Sequence, residues 1–183
     1  QVPVPQNLLS IIKAAISSNE LSHGYRALIA TPPNAQNILN YCAMQNKTIN
    51  PLKFHEAINS FNTALAKECK SFIKNYLSHN TPNLNFAPTR EQAGERAFTL
   101  QLLDLCCFHE NGVATVKDFH KTATNMTDEI NSLILLIKHD KISNELEKFF
   151  KKWESNDNVI DKWFAVQAAH TIPSKSWRCM NTK

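Results

Sequence analysis

Apolar residues recur along this chain at three- and four-residue intervals almost from end to end, the spacing that collects them on one face of a helix. The pattern predicts a first helix over Pro5 to Ser18, with Leu8, Leu9, Ile11, Ile12, Ala15 and Ile16 as its stripe. A short second helix over about Glu20 to Ala30 stops before "TPPN", where Pro32 and Pro33 end one helix and can open the next. A third covers about Asn34 to Met44. The longest follows, with Asn50 as N-cap and Pro51 as a favoured first residue. Its stripe of Phe54, Ile58, Phe61, Leu65, Cys69, Phe72 and Tyr76 implies about 26 residues, or about 40 Å of helix, and reads as core.

"HNTPNLNFAP" is expected to be a loop. Thr89 and Gln92 then form a capping box for the helix "TREQAGERAFTLQLLDLCCFH", expected to end at Asn111-Gly112. Shorter helices follow at about Val113 to Thr122, Thr127 to Lys138 and Ser143 to Glu154. In the last, "NVIDKWFAVQAAH", Asn158 is expected to be the N-cap and Asp161 a first-turn carboxylate. Val159, Ile160, Trp163, Phe164 and Gln167 should then form a wide inward face, and Ala165, Ala168 and Ala169 a small-residue face for another helix. No strand candidate remains. The expectation is an all-α fold of about nine helices, an irregular α-solenoid or superhelical stack of antiparallel helix pairs, or a helical bundle. One helical-repeat domain is expected over 1–172, followed by a poorly ordered tail over 173–183, because Pro173 halts the last helix and Trp177 is the tail's only large anchor.

Composition narrows the picture. Glycine occurs only three times, against a usual share of about 7%, and tight hairpins want glycine at positive φ. The apolar share of 43% is that of a globular chain. The densest apolar run, "LILLI" at Leu133 to Ile137, is core-helix length and not a membrane span. The net charge of +4 is spread among interleaved acids, as in "NELEKFFKKWES", a solvated face and not a nucleic-acid stripe. Neither nucleic acid nor membrane is therefore expected as a partner.

Cys42, Cys69, Cys106, Cys107 and Cys179 are odd in number and form no CxxC pair, which suits free thiols in a reducing cytosol. In that compartment the sequons at Asn46 and Asn125 have no consequence. Two histidine–glutamate pairs approach the zinc-protease helix motif HExxH, in which two histidines four apart bind the metal. "HEAIN" puts Asn59 where the second histidine belongs, and "HENGV" puts Val113 there after a helix-ending glycine. His23, His55, His79, His109, His120, His139 and His170 are otherwise scattered, and serines and cysteines lack a recognisable histidine partner. No catalytic, cofactor-binding or metal-binding residue is assigned, and no cofactor is expected in this chain.

A family resemblance adds what periodicity does not. "NMTDEINSL" at Asn125 to Leu133 and "NVIDKWFAVQAAH" at the end resemble, in order and separation, segments of the C-terminal helical domain of the bacterial aminopeptidase N family, the gluzincin zinc aminopeptidases. "GERAFTLQLLDLC", with Arg96 and Ala97, and "ALIATPP" are similar to earlier segments there, and the likeness spans about Pro3 to Pro173. Beyond Pro173 the family continues through more helices, whereas "SKSWRCMNTK" departs from its pattern. The resemblance implies a piece of a longer enzyme, consistent with a start at Gln1 without methionine. It implies a bacterial, cytoplasmic parent whose catalytic domain carries zinc on HExxH and removes N-terminal residues from peptides. This chain would pack on that domain and enclose its active-site chamber. By itself it should be inactive, and it should self-associate through the open end of its helical stack. The alternatives are a stand-alone helical-repeat scaffold for a protein or peptide partner and, on the pI near 8.8 alone, a helical RNA-binding module.

Overall fold

A computed structural model describes residues 3–33, 35–48, 50–79, 86–139 and 144–170. Among them are nine helices and no strand: α1 (Gln6–Ser17), α2 (His23–Ala30), α3 (Ala35–Met44), α4 (Pro51–His79), α5 (Arg90–Cys106), α6 (Gly112–Thr122), α7 (Met126–Lys138), α8 (Glu145–Trp153) and α9 (Asp157–His170). The all-α expectation, with helix packed on helix, is borne out. The tail over 173–183 and most of the "HNTPNLNFAP" loop lie outside the described residues. The chain forms two compact units, α1 to α5 and α6 to α9.

In the first unit α4 and α5 run antiparallel. Tyr76 meets Phe98 edge-on at 5.1 Å between centroids, while His109, just past the end of α5, bonds the backbone of Ala66. α2 and α5 run the same way, with Gly24 beside Gly94 near their starts and Gln101 Nε2 donating to Ala30 O at 3.2 Å near their ends. Ile16, Leu65, Cys69, Ile73, Phe98, Leu102 and Leu105 form the core between them. The expected α4 stripe holds only in part. Phe54 and Ile58 are half-buried, and full burial begins at Ser60. The reason is length: α4 has 29 residues and α5 has 17, so the first turns of α4 run beyond their antiparallel partner. Leu39, Tyr41 and Met44 of α3 are likewise exposed.

The joints follow capping chemistry. Asn50 Oδ1 accepts from Leu52 N–H at 3.0 Å, as expected. Thr89 Oγ1 accepts from Gln92 N–H at 3.2 Å, and Gln92 Oε1 accepts from Ala87 N–H at 2.8 Å. The expected stop at Asn111-Gly112 is corrected: α5 ends at Cys106, and Gly112 begins α6. Asn111 itself takes the left-handed conformation at φ 63°, a state that asparagine tolerates, so the glycine is not needed for it. In the second unit Ile130, Leu133, Ile137, Phe149, Val159, Trp163 and Val166 form one core. The "LILLI" run is core as expected, with Leu133, Leu135, Leu136 and Ile137 buried.

The start of α9 is also corrected. Asn156, not Asn158, is the cap: its Oδ1 accepts from Val159 N–H at 3.3 Å and its carbonyl accepts from Ile160 N–H at 3.0 Å. Asp161 therefore lies beyond the first turn and is exposed. Val159, Trp163, Val166 and Gln167 point inward, whereas Phe164 is 51% exposed and Ala165, Ala168 and Ala169 face outward. Moving the start of the helix does not decide which residues share a face; the Val159–Trp163–Val166 line, at steps of four and three, simply has more apolar surface to bury than the line through Phe164.

Candidate functional site

The densest polar arrangement lies between α6, α7 and α8 in the second unit. Its frame is the start of α7. Asn125 Oδ1 accepts from Asp128 N–H at 2.9 Å, and Asn125 Nδ2 donates to Asp128 Oδ2 at 2.7 Å, so cap and first turn hold each other. This sets Glu129 and Ser132 one turn further along a common face. Glu129 Oε2 accepts from Lys152 Nζ at 2.7 Å and from Trp153 Nε1 at 3.3 Å, both on α8. His120, near the end of α6, brings Nδ1 within 2.9 Å of Ser132 Oγ and 3.1 Å of the Glu129 carbonyl. Burial lowers the His120 pKa below the ordinary imidazole value, against a smaller opposing pull from Glu129.

The serine–histidine contact corrects the expectation that no serine has a histidine partner. It is not a nucleophile pair. Ser132 is fully buried, and its hydroxyl donates to the carbonyls of Asp128 at 2.7 Å and Glu129 at 2.9 Å. Its proton is thus committed to backbone, and Nδ1 of neutral His120 is the donor toward Ser132 and Glu129. A histidine acting as general base needs its bare nitrogen on the hydroxyl, with the oxygen open to substrate. Neither condition holds, so the cluster fastens three helices together. The segment that carries part of the family resemblance, "NMTDEINSL", is a cap and a helix-to-helix tether.

The other residues singled out by the sequence stand apart. His55 Nε2 lies 2.9 Å from Asn59 Nδ2, an exposed contact one turn apart on α4, in the place where a second zinc histidine would sit. His109 follows α5 with its Nε2 buried, and its pKa is lowered by burial and by Lys70. Among the described residues no three histidine, cysteine, aspartate or glutamate side chains are grouped to hold a metal. Cys42 and Cys69 are free thiols; Cys69 is buried, and burial pushes its thiol up to about 11, which makes it unreactive. Trp163 is buried, donates through Nε1 to Leu146 O at 3.0 Å and lies 5.0 Å from the Phe150 ring. Its role is to join α8 to α9.

Nothing in the sequence points to the His120–Ser132 contact, since the two lie twelve residues apart on different helices and no spacing rule links them. The only local signal was the Asn125–Asp128 cap, which predicts a helix start and nothing more.

Comparison with known proteins extends the picture. The chain is 24% identical over 163 residues to an aminopeptidase N of Caulobacter vibrioides, which covers 87% of this chain and 18% of that protein. It is 24% identical over 170 residues to aminopeptidase N of Escherichia coli and 24% identical over 167 residues to that of Haemophilus influenzae, each covering 90% of this chain and 19% of the relative. It therefore spans about a fifth of the length of the curated relatives it matches. The resemblance to the helical domain of bacterial aminopeptidase N is borne out. Residues 1–179 match the model described as "Domain of unknown function (DUF3458_C) ARM repeats", and the chain belongs to that family.

Proposed function

We propose that this chain is the helical domain of a zinc-dependent aminopeptidase N. In this reading it packs on a catalytic domain and encloses the active-site chamber of an enzyme that removes N-terminal residues from peptides. The observation that carries the reading is the match of nearly the whole chain to three bacterial proteins of that name. Stacked repeats that expose side chains along one face are suited to walling a chamber. The zinc belongs to the catalytic domain. The residues described here do not fit it, since His55 is paired with Asn59 and no three-ligand group exists among them. The reading places the enzyme in the bacterial cytoplasm. Among the described residues no helix is long and apolar enough to cross a membrane.

Apart from its partner the chain should self-associate. Phe164 is 51% exposed on α9, and Ala165, Ala168 and Ala169 on the same helix are exposed as well. The reading is tested by the DNA on the 5′ side of the Gln1 codon. An open frame continuing upstream through HExxH supports it. A frame that begins at this chain, with no catalytic domain encoded before it, overturns it in favour of a free-standing scaffold.

A further inference from the structure

The cleft between α6, α7 and α8 has a volume of about 200 Å³ and is lined by Lys117, His120, Lys121, Glu129, Lys148 and Lys152, with Glu145 beside them. Each wall contributes a lysine pair one turn apart: Lys117 and Lys121 from α6, Lys148 and Lys152 from α8. Two of the four are neutralised inside the cleft. Lys152 meets Glu129 at 2.7 Å, and Lys117 meets Glu145 at 3.5 Å. Among the described residues Lys121 pairs with Asp118 alone, at 3.2 Å in an exposed pair of the kind that contributes little. Lys148 has no ion pair among the described residues. His120 is held through Nδ1 by Ser132 and Glu129, so Nε2 of the neutral ring is an acceptor and meets only a proton-bearing oxygen of a ligand.

We propose that this cleft binds a small oxyanion of the phosphate class, held between Lys148 on one wall and Lys121 on the other, alongside His120. The unpaired ammonium of Lys148 and that of Lys121, held only in an exposed pair with Asp118, suit an anion, and lysine binds phosphate as a point charge without demanding a planar fork. The volume admits one such ion with part of its water shell. Four ammonium groups and two carboxylates make the lining unfavourable for an apolar ligand, which could not replace their hydration. The inference is independent of the enzyme reading above.

The test is a titration of the ¹⁵N-labelled 183-residue chain with inorganic phosphate, and separately with phosphoserine, against sodium chloride at matched ionic strength. Saturable shifts of the His120, Lys121 and Lys148 amides, with half-saturation at about 1–10 mM, are expected for at least one phosphate probe and not for chloride. The tighter probe tells a free ion from a phosphoryl group carried on a larger molecule. Lys148→Gln and Lys121→Gln, both at exposed positions, should each weaken binding by about fivefold, while Lys74→Gln on α4 should leave it unchanged. Shifts that chloride reproduces without saturation, or phosphate binding indifferent to both cleft variants, would overturn the proposal.

Discussion

Arg26 donates through Nε to the carbonyl oxygen of Ile16 at 2.7 Å, so a buried side chain of α2 closes the end of α1. The last carbonyls of a helix have no partner within it, and here one is satisfied from a neighbouring element. The guanidinium also lies 4.3 Å from the Phe98 ring centroid and 5.5 Å from that of Phe72. Burial lowers the Arg26 pKa, yet a guanidinium stays charged, so the hydrogen bond and the ring faces must offset its lost hydration. Arg26→Ala should therefore cost about 2–4 kcal/mol. Arg26→Lys keeps the charge and loses the planar stacking and the Nε geometry, so it should still cost more than about 1 kcal/mol. Hydrogen exchange of the α1 and α2 amides reads both; protection unchanged in Arg26→Ala would show that the contact is ornamental.

Gly94 sets how closely α2 approaches α5. A Cβ on Gly94 would stand 2.8 Å from Gly24 N and 3.2 Å from Gly24 Cα, both backbone atoms that cannot rotate away. The helices would have to separate along the contact that also carries Gln101 to Ala30. Gly94→Ala should destabilise the first unit by about 1–3 kcal/mol, despite the gain of about 1 kcal/mol in helix propensity. The reverse position is permissive: a Cβ on Gly24 meets only Gly94 Cα, at 3.6 Å, an ordinary contact. Gly24→Ala should thus be much milder, and equal costs in urea unfolding of the two variants would contradict the packing described here.

These two positions show what the sequence made legible. Periodicity locates all nine helices of the described residues, though it runs α5 past its end at Cys106, because helical spacing is a local property, and Asn50 and Thr89 announce their caps by the same local chemistry. The scarcity of glycine was read against β structure, correctly, but two of the three glycines serve a helix crossing between α2 and α5, which no local pattern encodes. Asn158 has the same capping chemistry as Asn156, so local sequence does not separate them; the Val159 N–H bond to Asn156 Oδ1 fixes the cap. The His120–Ser132 contact, like the glycine crossing, is encoded by no local pattern.

His120 should make the second unit sensitive to acid. Its folded pKa lies below the ordinary value of about 6.5, so between those two values the unfolded chain binds more protons than the folded one. Stability is then full above about 6.5 and falls as the pH drops through that window toward the folded pKa. The charged groups around it are Lys117 and Lys121 of α6, Glu129 of α7, and Glu145, Lys148 and Lys152 of α8. His120→Gln should flatten the fall in the urea midpoint between about pH 7 and pH 5, read by tryptophan fluorescence from Trp153 and Trp163. His109 contributes with the same sign from the first unit and should leave that fluorescence signal unaffected. A variant with the slope of the parent would remove His120 from the acid response.

The isolated chain should hold no stoichiometric zinc and release no amino acid from aminoacyl chromogenic substrates. The motive is the His55–Asn59 contact in the place of a zinc pair and the buried, backbone-bonded hydroxyl of Ser132. Metal analysis after dialysis is the measurement. One retained zinc per chain with chelator-sensitive turnover would require a site that the described residues do not form.

The last helix separates packing from charge within two residues. Trp163 is 5% exposed, rests against Phe150 at 5.0 Å and donates to Leu146 O at 3.0 Å. Trp163→Ala removes the ring from the core of the second unit and should cost about 3–5 kcal/mol. Trp163→Phe keeps most of the apolar area and loses the indole hydrogen bond, so about 0.5–1.5 kcal/mol is expected. Asp161 is exposed, past the turn that Asn156 caps, and has no hydrogen bond or ion pair among the described residues. Asp161→Ala and Asp161→Asn should both stay within about 0.5 kcal/mol of the parent, because exposed positions away from caps and pairs rarely do more. Thermal unfolding followed by near-ultraviolet circular dichroism orders the four variants. If Asp161→Ala proves as costly as Trp163→Phe, the carboxylate has a partner in the folded chain, and the assignment of the cap to Asn156 alone is wrong.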